Sequence, residues 1–246
     1  MPLPKLLHVL SGTLVALATA THAEKPINIA IYRGDAGCKG CSEMVAKSLD
    51  ESGMRLKYNY IGEHEKLHVT DENLKSFDIY IQPGGGQDIP AAYDSLGDNG
   101  ARAIRNFVKN GKGFIGLCMG AYLADKNWIG LINESLDSEV GRPHSGISDE
   151  GDYTINIDWF GIKAPFYYQD GPYFPLPDKK TDFRALAYYA NGDIAMAGYR
   201  FGKGHVLLSG PHPEADDTWM DALPASHTEI PTAGSKMKKL IQYIMQ

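Results

Sequence analysis

Phe114-Ile115-Gly116-Leu117-Cys118-Met119-Gly120-Ala121-Tyr122 is the stretch on which the fold turns. Phe114 to Leu117 is an apolar run short enough for a buried strand, and Ala121, Tyr122 and Leu123 suit a helix that begins just after Cys118. A strand that turns sharply into a helix strains the residue at the turn, and small neighbours let the chain pass, which accounts for glycine on both sides of Leu117-Cys118-Met119. Such an elbow pushes its thiol out at the carboxyl end of a sheet. The helix N-terminus that follows favours the thiolate. The plainer alternative is a small cysteine buried in a tight junction.

Outward from the elbow, strand and helix patterns alternate. Upstream, Ile27 to Tyr32 is a continuous apolar run suited to a strand buried on both faces, and Cys41 to Leu49 is helix-compatible. Met54 to Ile61 and Phe77 to Gln82 read as further strands, and Gly100 to Asn110 places Ala103, Ile104, Phe107 and Val108 at helical spacing. Downstream, strand-like runs at Tyr153–Ile157, Lys163–Tyr168, Arg184–Ala190, Ile194–Tyr199 and His205–Ser209 are separated by turn signals such as Asn191-Gly192, and Ser235 to Met245 closes as a helix. The expected fold is α/β: a doubly wound, mostly parallel sheet with flanking helices and an antiparallel strand extension.

Two more pieces complete a candidate site. Gly210-Pro211-His212-Pro213-Glu214 follows the His205–Ser209 strand. Residues two apart in an extended segment project to one side, so Glu214 is expected to reach His212, fix its tautomer and stabilise its imidazolium. Pro83-Gly84-Gly85-Gly86 follows the Phe77–Gln82 strand. Glycines there free backbone N–H groups to face an oxyanion, and Gly85 with the N–H of Met119 is the expected pair.

In this order and spacing the three pieces resemble the class I glutamine amidotransferase-like superfamily. More closely, Gln82-Pro83-Gly84-Gly85, Gly116-Leu117-Cys118-Met119-Gly120-Ala121-Tyr122, Tyr168-Gln169-Asp170-Gly171-Pro172 and Gly210-Pro211-His212-Pro213-Glu214 are similar to the family related to the N-terminal region of certain biotin-protein ligases. The resemblance implies a triad of Cys118, His212 and Glu214. It also departs from the pattern: glutamine-using members have Gln four residues after the nucleophile, and here that position is Tyr122. Neither a synthase domain nor an ATP-binding motif is visible. A stand-alone hydrolase of an amide or γ-glutamyl-type bond is therefore expected, acting on a small-molecule or peptide substrate without a cofactor. Tyr122, Tyr168 and Asp170, within or near the aromatic run Tyr167 to Phe174, are candidate pocket residues. The rival expectation is a non-catalytic binding module on the same fold.

Residues 1–23 read as a signal peptide ahead of one domain over 24–246. Lys5 precedes an apolar run from Leu6 to Ala20, and small residues offer cleavage after Ala20 or Ala23. A periplasmic or secreted location follows, with no transmembrane span after signal removal. With 24 basic against 30 acidic residues and no basic cluster, the charge excludes a nucleic-acid binder. Of the 3 cysteines, Cys38 and Cys41 form a Cys-x-x-Cys pair, read as a local disulfide bracing its loop, with redox and metal roles as the alternatives for this spacing. His64-Glu65-Lys66-Leu67-His68 spells a zinc-protease pattern, but Gly62 just before it and a new helix start near Asp71 leave no room for the required helix. No metal is expected.

Overall fold

The computed structural model describes residues 25–177, 182–220 and 231–246. The expected signal segment lies outside these residues. In chain order the elements are β1 (Ile27–Tyr32), α1 (Cys41–Asp50), β2 (Leu56–Ile61), α2 (Asp71–Leu74), β3 (Ile79–Gln82), α3 (Ile89–Lys109), β4 (Gly113–Leu117) and α4 (Met119–Tyr122). Then come β5 (Asp137–Ser138), β6 (Tyr153–Trp159), β7 (Ile162–Tyr168), β8 (Pro172–Tyr173), β9 (Phe183–Tyr188), β10 (Ile194–Phe201), β11 (Gly204–Ser209) and α5 (Ala233–Ile244).

One nine-stranded sheet runs β2-β1-β3-β4-β11-β10-β9-β6-β7. From β2 to β11 every pairing is parallel, and from β11 outward every pairing is antiparallel. The expected class is therefore the observed one. β3 and β4 are buried at every position, as strands covered by helices on both faces must be. One apolar core joins α3 to one sheet face through Ala103, Ile104, Phe107 and Val108, packed with Tyr80 and Phe114. The other joins α1 and α5 to the opposite face through Val45, Leu49, Leu240 and Ile241, packed with Ile31, Ile81 and Ile115. Tyr80 and Phe114 stack with ring centroids 5.8 Å apart. Truncating such a buried ring to alanine costs about 3–5 kcal/mol.

Of the boundaries that differ from expectation, three bear on the site or have a local cause. The helix expected from Gly100 begins at Ile89, because Asp88 caps it by accepting from the Ala91 N–H and Pro90 sits in its first turn, where no intrahelical donor is needed. Gly97, at φ 68°, kinks it part-way. The strand expected from Phe77 begins at Ile79, because the Phe77 N–H donates to the Leu74 carbonyl and closes the turn after α2. The helix after Cys118 ends at Tyr122 and is a single turn, so it supplies little of the long-helix dipole expected to act on the thiol.

The carboxyl ends of β1, β3, β4 and β11 emerge at the same edge of the sheet, where open α/β sheets form their crevice.

Candidate active site

Cys118 leaves β4 with φ 52° and ψ −111°. A non-glycine residue at positive φ stores roughly 1–3 kcal/mol of strain and persists only where its surroundings dictate it. Here the surroundings are backbone. The Cys118 N–H donates to the Ser209 carbonyl at 2.8 Å, continuing the β4–β11 pairing through the elbow. The flanking glycines are required by close approach: a Cβ on Gly116 would lie 2.4 Å from the Gly120 oxygen, and one on Gly120 would lie 2.2 Å from the Gln82 oxygen. Only 7% of Cys118 is exposed, and its thiol donates to the Gln169 carbonyl at 3.2 Å.

β11 delivers His212 to the same place. The His212 N–H donates to the Tyr167 carbonyl at 2.9 Å in an isolated bridge that pins the segment against the end of β7. Glu214 does reach the ring: its Oε1 lies 2.8 Å from His212 Nδ1. It does so through a turn rather than by extended alternation, since Pro213 and Glu214 bend back and the Ala215 N–H approaches the His212 carbonyl at 3.4 Å. His212 is 3% exposed and Glu214 fully buried. Burial alone would lower the imidazole pKa, but the Glu214 carboxylate and the Cys118 sulfur outweigh it and push His212 up to about 10. The ring is thus held as imidazolium at neutral pH by the carboxylate on Nδ1 and the neighbouring Cys118 sulfur. Glu214 also acts on Lys236 of α5, whose Nζ is buried, donates to the Pro165 carbonyl at 2.8 Å and is pushed down by burial to about 8.

Gly85 and Met119 both border the thiol. Gly84 rather than Gly85 abuts the imidazole, since a Cβ there would lie 2.7 Å from His212 Cε1. The thiol opens to two cavities that share Gly85, Cys118 and Gln169 in their walls. The larger, about 510 Å³, adds Met119, Tyr122, Asp170 and the carboxylates of Asp137 and Glu150. The smaller, about 320 Å³, adds His212, Tyr167, Trp219, Asp152 and the Cys38–Cys41 pair. Cys38 and Cys41 are bonded, with Cα atoms 5.3 Å apart, as the local bridge was expected to be.

Of the candidate pocket residues, Tyr122 and Asp170 line the larger cavity, and the Tyr122 hydroxyl donates to the Asp170 carbonyl at 3.2 Å. Tyr168 does not line either cavity. It is fully buried, with its hydroxyl donating to the Gly171 carbonyl at 2.9 Å, because alternation along β7 turns it into the core while Tyr167 faces the site. Gln169, Trp219, Asp137 and Glu150 were not anticipated as wall residues. Trp219 packs edge-on to Tyr167 at 5.2 Å and to His212 at 5.7 Å.

The His64–His68 segment is a series of turns, so the two imidazoles do not share a helix face. Asp35, Glu63 and His64 do bring one ligand atom each within 4.8 Å of one another, on the exposed rim of the loop after β1. Glu63 is already occupied there, accepting from the Tyr32 hydroxyl at 2.8 Å and the Asp35 N–H at 2.6 Å. Among the described residues, no helix is long and apolar enough to cross a membrane.

Residues 27–130 match the family described as "Biotin-protein ligase, N terminal". The chain is 24% identical over 218 residues to a biotin–protein ligase of Schizosaccharomyces pombe, covering 76% of this chain and 33% of the ligase, so it spans about a third of that protein's length. It is 22% identical over 179 residues to the imidazole glycerol phosphate synthase subunit HisH of Synechococcus, covering 66% of this chain and 81% of that one. Among solved structures, a chain of PurLQS from Thermotoga maritima superposes with a TM-score of 0.58 at 18% identity, over 90% of this chain and 98% of that one. A glutamine amidotransferase structure gives 0.57 at 16% identity, over 88% and 96%. The chain has the class I glutamine amidotransferase-like fold, and its segment 27–130 is similar to the N-terminal region of biotin-protein ligases.

Proposed function

We propose that this chain is an exported, stand-alone cysteine-dependent amide hydrolase with Cys118 as nucleophile, His212 as acid–base and Glu214 as the residue that orients and charges the imidazole. The observation that carries this is a buried imidazole bonded to a carboxylate at 2.8 Å on Nδ1 and in hydrogen-bonding contact with a strained, cavity-lining thiol. In the proposed cycle the imidazolium–thiolate pair meets the substrate, Sγ attacks the carbonyl carbon, and the backbone N–H groups of Gly85 and Met119 receive the oxyanion. His212 then gives its proton to the departing nitrogen. A water activated by the neutral imidazole cleaves the thioester and restores the thiol. Export is supported by Lys5, the apolar run after it and a bonded Cys38–Cys41 pair, which an oxidising compartment preserves.

The test is turnover of a panel of amides by the wild-type protein and by Cys118→Ala and Cys118→Ser. Turnover by the wild type and by neither variant is expected. Equal turnover by Cys118→Ala would remove the thiol from the chemistry. N-terminal sequencing of protein recovered from the periplasm or medium should begin at Thr21 or Glu24, and an intact Met1 would refute export.

A further inference from the structure

An amide-cleaving thiol must sort the two halves of its substrate, and the two cavities at Cys118 differ in a way that does so. His212 is in the wall of the smaller cavity. The departing nitrogen takes its proton from His212, so it lies toward that side. The acyl half is left with the larger cavity of about 510 Å³.

That cavity is charged with one sign. Its wall holds Asp137, Glu150 and Asp170 and, among the described residues, contains no lysine, arginine or histidine. The Asp170 carboxylate is fixed, accepting from Ser138 Oγ at 2.6 Å, and the Tyr122 ring closes the wall beside it. Burial pushes the Asp170 carboxyl above the usual carboxylate range, and a cation docked beside it reverses that penalty. These carboxylates select what the thiol meets, because Cys118 opens into the cavity they line. An anionic acyl group would face three like charges, Asp170 partly buried and Asp137 and Glu150 exposed at the rim, which costs binding energy.

We propose that the acyl half of the substrate carries a positive charge, an amine, quaternary ammonium or guanidine, seated against Asp170, Glu150 and Asp137. The assignment rests on the proposed hydrolase function. The chemistry balances without a co-reactant other than water: the Sγ–C bond forms as the C–N bond breaks, the imidazolium proton leaves on the amine, and water hydrolyses the thioester. The products are the cationic carboxylic acid, the free amine and the regenerated thiol.

Three chloromethyl ketones test this, with acyl chains of equal length ending in trimethylammonium, tert-butyl or carboxylate. These end groups match in shape for the first two and differ in charge. The rate of Cys118 alkylation by each, read by peptide mass spectrometry, should be roughly tenfold faster for the trimethylammonium than for the tert-butyl compound, a difference of about 1.4 kcal/mol, with the carboxylate slowest. The ratio should fall toward one in the Glu150→Gln, Asp170→Asn double variant and persist in Asp152→Asn, which alters the smaller cavity. Glu150→Gln alone, on an exposed side chain, gives a partial loss of the ratio should the double variant fail to fold. Alkylation of Cys118 without preference, or with preference for the neutral or anionic probe, overturns the charge assignment and leaves the nucleophile standing. Loss of the ratio in Asp152→Asn but not in the double variant overturns it as well. No alkylation by any probe overturns the hydrolase function and this inference together.

Discussion

The sheet divides at the boundary between β11 and β10 into a parallel half and an antiparallel half, and the two contribute differently to the site. The parallel half carries at its carboxyl edge the groups proposed to react: Cys118 after β4, His212 and Glu214 after β11, and Gly85 after β3. The antiparallel half contributes walls through the end of β7 and the turn after it: Tyr167, Gln169 and Asp170. Central parallel strands are buried on both faces, so a side chain at their ends is fixed by a packed core. The peripheral strands are solvated in part and hold surfaces that vary at less cost. The proposed function thus places chemistry on the rigid half and selection on the adjustable one.

The sharpest way to break that division is to remove the thiol. Cys118→Ala should reduce kcat by at least about 10³-fold, the scale on which a lost nucleophile is felt, with little change in thermal unfolding. Next is the orienting carboxylate. Glu214→Gln keeps the shape of the pair but removes the charge at 2.8 Å from Nδ1, and kcat/KM should fall by about 10²-fold. A rise in KM with kcat unchanged would move Glu214 out of the catalytic half.

The Cys38–Cys41 bridge belongs to the loop after β1 and borders the smaller cavity. Opening a loop this short by Cys38→Ser with Cys41→Ser should cost about 2 kcal/mol in urea unfolding. Reduction of the wild type by dithiothreitol should give the same shift, and no shift from either would show the bridge to be stabilising nothing.

A pH series sharpens the same comparison from the stability side. His212 is raised in the folded state from 6.5 to about 10, so its contribution is fully present below about pH 6.5 and is lost as pH rises through about 10. The difference in unfolding temperature between wild type and Glu214→Gln should therefore be largest in the acidic to neutral range and shrink toward pH 10. A difference that grows with pH would invert the assigned charge state. The smallest effect belongs to the antiparallel wall. Tyr167→Phe removes a half-exposed hydroxyl that donates to Asp152 at 2.7 Å, and should change stability by no more than about 0.5 kcal/mol.

The same division governs what could be read from the chain beforehand. β4 and its elbow were legible because Gly-Leu-Cys-Met-Gly combines a buried run with two positions that cannot carry a Cβ. The first half of α3 was not, since Pro90, Gly97 and Gly100 look like breakers until Asp88 is seen to cap the helix and Gly97 to kink it. His212 and Glu214 were legible as a pair by spacing. Their route to each other was not, because a turn and an extended segment both bring residues two apart together. In Tyr167-Tyr168, alternation guarantees that one ring faces the site and one the core, but register alone decides which, and register is a property of the assembled sheet. Asp137 sits in the two-residue strand β5 and Glu150 in a connecting bend, both exposed positions where a carboxylate is an ordinary residue, so nothing local distinguished them.

The most direct measurement is the pH dependence of iodoacetamide alkylation at Cys118 in the wild type and in His212→Asn. With the imidazolium beside it, the wild-type thiol should alkylate faster than that of the variant across the series. Superimposable profiles would mean that the imidazole does not act on the sulfur, and the cysteine–histidine–glutamate site would not exist as a chemical unit.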